Sequence, residues 1–117
     1  MPQTFVKHIG STVKERNSVT VTAYFRDSSN AASAPTTCHY RIDDISTHTK
    51  ITDWTTVSPA VSVDITVKAN ENRIIANGDA TERRQITVAA DKGTTTETRS
   101  TTEWFVENIG GFDESSP

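Results

Sequence analysis

Apolar and polar residues alternate along at least six short stretches of this chain, and clusters of turn-forming residues separate them. Val19-Thr20-Val21-Thr22-Ala23-Tyr24-Phe25 is the clearest stretch. Val61-Ser62-Val63-Asp64-Ile65-Thr66-Val67 and Gln85-Ile86-Thr87-Val88-Ala89-Ala90 repeat the pattern. A period of two sends one set of side chains to a core and the other to water, as in half-buried antiparallel strands.

The pattern predicts seven strands. The first covers Thr4 to Ile9 and stops at Gly10-Ser11, and the second covers Ser18 to Arg26 with Val19, Val21, Ala23 and Phe25 inward. A turn-rich loop from Asp27 to Pro35 leads to a third strand, Thr36 to Asp43, in which Cys38, Tyr40 and Ile42 share a face. Ile51 to Val57 is a shorter strand carrying Trp54, ended by Ser58-Pro59, and Val61 to Lys68 is the fifth. Between Asn70 and Asp79, Ile74-Ile75 should dip into the core as a corner or short helical turn, and Asn77-Gly78 suits positive φ. Arg83 to Ala90 and Thr94 to Val106 complete the set, with a turn at Asp91-Lys92-Gly93 and a bulge expected near Arg99-Ser100. Arg83-Arg84, beside Glu82, reads as a solvated strand end. The expectation is therefore an all-β, seven-stranded antiparallel Greek-key β-sandwich over residues 1–109, followed by a flexible acidic tail, 110–117. An odd number of traverses sends the two termini to opposite poles.

Composition fits that architecture. Apolar residues make up 33% of the 117, enough for one shared core between two sheets whose outer faces are wet. Threonine supplies about one residue in six; its β-branch suits a pleated strand and its hydroxyl suits the solvated face. The net charge of −3 and the scatter of the twelve Lys and Arg argue against a direct nucleic-acid binder, which needs a basic stripe. Cys38 is the sole cysteine, which rules out an intrachain disulfide and agrees with folding in a reducing cytoplasm. No secretory leader or apolar membrane-spanning run is visible, and no membrane partner is expected.

Ser18 to Ile109 resembles an immunoglobulin-like or fibronectin type III-like module, with Gln85 to Gly93 similar to its penultimate strand and following turn. The tyrosine and the Cys…Trp…Cys pattern that often mark such modules are missing. Tyr40-Arg41-Ile42-Asp43-Asp44, followed by Ile51-Thr52-Asp53-Trp54, also looks like small β-sandwich proteins of tailed bacteriophage virions. That resemblance implies a structural role on the capsid, at the head–tail junction or on the tail.

Little in the sequence prefigures chemistry. His8, His39 and His48 lack a chelating spacing, and His39 and Cys38 point to opposite faces of one strand, so no metal or cofactor is expected. Asp27-Ser28-Ser29-Asn30 offers oxygen ligands without the Gly and closing Glu of an EF-hand loop. No nucleophile elbow or Gly-rich phosphate loop is present, and no catalytic residue is assigned. The aromatic residues stand out instead. Trp104 and Phe105 are neighbours on one strand, so one faces the core and the other faces outward. Phe5, Trp54, Trp104, Phe105 and Phe112 are the interface candidates, since large aromatics dominate binding hot spots. The function expected is that of a non-enzymatic virion protein, made in the host cytoplasm, that decorates or cements a capsid or joins head to tail. Its partners would be other virion proteins and further copies of itself. The alternative is a bacterial surface adhesion or carbohydrate-binding module of the same fold.

Overall fold

The computed structural model describes residues 3–6 as backbone and 12–27, 29–75 and 80–108 in full. Its strands are β1 (Gln3–Val6), β2 (Thr12–Lys14), β3 (Val19–Arg26), β4 (Cys38–Asp44), β5 (Thr49–Val57), β6 (Ser62–Val67), β7 (Thr81–Ala90) and β8 (Thr98–Glu107). A short 3-10 turn, Ala69–Asn72, follows β6. The chain is thus all-β. Seven of the strands correspond to the seven expected, and Thr12–Lys14 adds a brief extra one that pairs in parallel with β8. Residues 7–11, 76–79 and 109–117 lie outside the described residues, and with them the Gly10-Ser11 stop, Asn77-Gly78 and the acidic tail.

Two sheets result. The three-stranded sheet has the order β1-β3-β6 and the five-stranded sheet the order β2-β8-β7-β4-β5. Every pairing except β2 with β8 is antiparallel. Inward positions from both sheets form one core. Val21, Ala23 and Phe25 of β3 and Ile65 and Val67 of β6 meet Cys38, Tyr40, Ile42, Ile86, Val88, Trp104 and Val106. Each large apolar side chain fully buried there contributes about 1.5–3 kcal/mol of transfer free energy. Ile74 is 2% exposed and closes the core below the 3-10 turn, as its place between two polar stretches suggested.

The register fixes where the chain enters and leaves. Gln3 lies opposite Arg26, at the pole where β4 begins and β7 ends. Glu107 lies opposite Thr81, at the other pole. Entry and exit are therefore about 30 Å apart, the length of a ten-residue strand.

Two expectations need correction. β7 and β8 pair without a register shift from Ala90↔Thr98 to Thr81↔Glu107, so no bulge lies at Arg99-Ser100. Thr94 to Glu97 instead forms a turn, with the Thr94 N–H on the Asp91 carbonyl (3.1 Å) and the Glu97 N–H on the Thr94 carbonyl (3.3 Å). The irregularities sit between β4 and β5, at Tyr40/Ile42 and Ile42/Asp43. Arg84 is also no solvated strand end. It shares the inward parity of Ile86, Val88 and Ala90 and is fully buried, while Arg83 faces outward.

Candidate interaction surfaces

Residues Arg41, Thr87, Thr101 and their like-parity neighbours build the outer face of the five-stranded sheet. The β4–β5 bulge decides where its tryptophan goes. Tyr40 pairs with Thr55 and Ile42 with Thr52, so Asp53 and Trp54 together oppose the single Arg41. A bulge of this kind re-aims a side chain. Trp54 is half-buried, and its ring lies under three cations: Arg99 at 5.0 Å, Lys92 at 5.1 Å and Arg41 at 5.8 Å from the ring centroid. Arg99 stands on β8, three strands from β5, so the ring and the guanidinium reach towards each other across β4 and β7. Ala89 lies between them on the same outward face and is nonetheless fully buried. Each such contact contributes about 0.5–1 kcal/mol when exposed.

The cations are themselves oriented. Arg41 grips Asp43 through two bonds, Nε to Oδ2 at 2.9 Å and Nη2 to Oδ1 at 2.6 Å. Arg99 bonds Glu97, and Glu97 in turn accepts the Gly93 N–H at 2.7 Å. That backbone donor, with Arg99, holds the Glu97 carboxyl below its usual range. On the same strand as Arg41, His39 lies opposite Thr56 and turns a buried Nδ1 that meets no hydrogen-bond partner among the described residues.

At the other end of the same face, Phe105 is 45% exposed and sits between Thr12 of β2 and Arg83 of β7. Arg83 and Gln85 both bond Glu103, which Arg83 keeps ionised below the ordinary glutamate range. Six residues of β8 separate the Arg99 row from Phe105, or about 20 Å. Two aromatic groups therefore occupy opposite ends of one polar, charge-paired face.

The candidate residues divide as follows. Phe105 is exposed on this face, and Trp54 is partly buried there beneath the three cations. Trp104, a candidate anchor by sequence, is 1% exposed and belongs to the core, which is a correction. Parity with Thr102 and Val106 sends it inward, and its Nε1–H donates to Asn72 Oδ1 at 2.8 Å. Phe5 lies in β1, opposite Tyr24 of β3, on the other sheet; its side chain and all of Phe112 lie outside the described residues. Cys38 is buried, and burial pushes its thiol up to about 11.

Sequence reading missed a polar cluster under the 3-10 turn. Arg84 Nε faces Asp44 Oδ1 at 3.1 Å, and its Nη2 meets Glu82 Oε1 at 2.9 Å, all three side chains being fully buried. The guanidinium also donates to the carbonyls of Glu71 and Arg73. Burial lowers the Arg84 pKa, and Asp44 and Glu82 work against that shift. The signal was present in the alternation of β7, where Glu82 and Arg84 occupy the core parity, but charge disguised it.

No protein-family model and no curated protein matches the sequence. The fold is similar to the crystal structure of a conjugative transposon lipoprotein from Bacteroides eggerthii DSM 20697, with a TM-score of 0.51. The two chains are 9% identical, and the match covers 88% of this chain and 95% of that one. At that identity the likeness establishes a shared all-β fold and nothing of activity. The lipoprotein is not a phage protein.

Proposed function

We propose that this chain is a non-enzymatic structural protein of a bacteriophage particle, docking on the capsid or head–tail junction by the outer face of its five-stranded sheet. The observation that supports docking is the placement of Trp54 and Phe105 towards opposite ends of one sheet face, among oriented ion pairs. Aromatic anchors set in a polar surround are the usual composition of a binding patch. Gln3 and Glu107, the outer ends of the first and last strands, lie at opposite poles, which suits a protein that bridges neighbours. In this reading the order β1-β3-β6 over β2-β8-β7-β4-β5 is an Ig-like Greek key whose first strand divides between the sheets. The virion assignment itself comes from the resemblance around Tyr40 to Asp44 and Ile51 to Trp54.

A second reading, a bacterial surface module, is favoured by the fold shared with the conjugative transposon lipoprotein. Mass spectrometry of density-purified phage particles and of the cell envelope from the producing bacterium separates the two. Recovery with the particles, with immunogold label on heads or at the neck, is the outcome expected. Recovery only with the envelope would overturn the virion assignment in favour of the surface module.

A further inference from the structure

At the pole where β8 ends, a cleft of about 420 Å³ opens between the start of β5 and the 3-10 turn. Its size is that of a small-molecule site. Glu71, 8% exposed, forms part of its lining. One carboxylate oxygen of Glu71 accepts the Lys68 N–H at 2.7 Å, and the other accepts the Thr52 hydroxyl. An ionised carboxylate has about four acceptor sites, so Glu71 retains capacity to accept hydroxyl donors from a ligand. Cations flank it. Lys50 shares its charge with Asp53 at 3.2 Å, whereas the side chains of Lys68 and Arg73 meet no carboxylate among the described residues. Ile51 and Ile75 supply apolar wall.

This wall is held in place from within. Arg84 donates to the carbonyls of Glu71 and Arg73, and Glu82 Oε1 accepts the Ile75 N–H at 2.7 Å. Two fully buried charged side chains thus fix three backbone points along the segment that carries Glu71 and Arg73. Burying them costs desolvation that an apolar pair would avoid. A binding site gains from such fixing, because the ordering is done before the ligand arrives.

We infer that the cleft binds a monosaccharide-sized polyhydroxy acid, an acidic sugar. Its carboxylate would pair with Arg73 and Lys68, and its hydroxyls would donate to Glu71 and bond the Asn70 amide. Glu71 repels a bare dianion placed beside it, and a neutral sugar makes no ion pair with the two exposed cations; a ligand with both features matches the lining best. The inference does not depend on the virion reading.

The test is an amide-resolved NMR titration of the full chain with D-glucuronate, with D-glucose and inorganic phosphate as comparisons. Glucuronate should shift the amides of residues 49–52 and 68–75. Arg73→Ala, at an exposed position, should leave the fold intact and weaken binding about tenfold or more, the loss expected for one charge-assisted hydrogen bond. Glucose and phosphate should each bind at least about tenfold more weakly than glucuronate. Phosphate binding as tightly as glucuronate would reduce the site to an adventitious ion only. Glucose binding equally well, unchanged affinity in Arg73→Ala, or no shift with glucuronate would each overturn the inference.

Discussion

Single residues separate what holds this fold from what it offers to a partner, and Trp104 and Phe105 show it within one dipeptide. Trp104→Ala should cost about 3–5 kcal/mol in denaturant unfolding, the range for a buried Trp, and it would also take the Nε1–H donor from Asn72 Oδ1. Phe105→Ala should cost far less, about 1 kcal/mol or under, because the ring is 45% exposed and its loss opens no enclosed cavity. Arg84 belongs with Trp104: Arg84→Ala removes the buried cation that Asp44 and Glu82 share and should cost about 3–5 kcal/mol. Equal unfolding midpoints for parent and Arg84→Ala would refute that role. Cys38 gives a pH-dependent case. Its folded pKa is raised from 9.0 to about 11, so the stability from the neutral thiol is complete below pH 9 and is lost as pH rises towards 11. Native protein should resist iodoacetamide at pH 8 and react once unfolded, and Cys38→Ala should lose less stability across that alkaline window. The parity of Cys38 with Tyr40 and Ile42 made its burial legible in the sequence. Nothing comparable announced Arg84, since a charged residue at core parity reads as a strand end until its countercharges, 40 positions away in the case of Asp44, are seen to converge on it.

At the scale of elements, alternation located the strands well and their irregularities poorly. Val19 to Arg26 and Gln85 to Ala90 read directly because regular pairing keeps one parity inward throughout. β5 did not, because the double irregularity against β4 breaks the parity between Ile51 and Trp54. Those same irregularities, with Lys50 and Asp53 on the strand, guard β5 against edge-to-edge pairing. β2 is too short at three residues for any period to register, and its pairing with β8 depends on the path of the whole sheet. The loop between β3 and β4 owes its place to Asp91, whose Oδ1 accepts the N–H of Thr36 at 2.8 Å and of Thr37 at 3.2 Å. Asp91→Ala should cost about 1–3 kcal/mol by leaving those donors unmatched. It should also accelerate hydrogen exchange at Thr36 and Thr37 ahead of β7. Uniform exchange with unchanged stability would show that the loop is held by other means.

For the whole molecule, the two sheets make one rigid body with two distinct outer surfaces. On the three-stranded sheet, the outward positions of β3 and β6 are mostly polar: Thr22 bonds Asp64 at 2.8 Å, and Tyr24 is 37% exposed. The five-stranded sheet carries the Trp54 and Phe105 patch. The choice between these faces was beyond sequence reading, because it depends on which aromatic the bulge turns outward. In the proposed function, the five-stranded face is the docking surface on a particle. Hydroxyl-radical footprinting of the chain, free and bound to purified phage particles, tests it most directly. Docking by this face requires strong protection of Trp54 and Phe105 on the particle, with Tyr24 as reactive as in the free protein. Undiminished labelling of Trp54 and Phe105 on the particle, or protection confined to Tyr24, would contradict it.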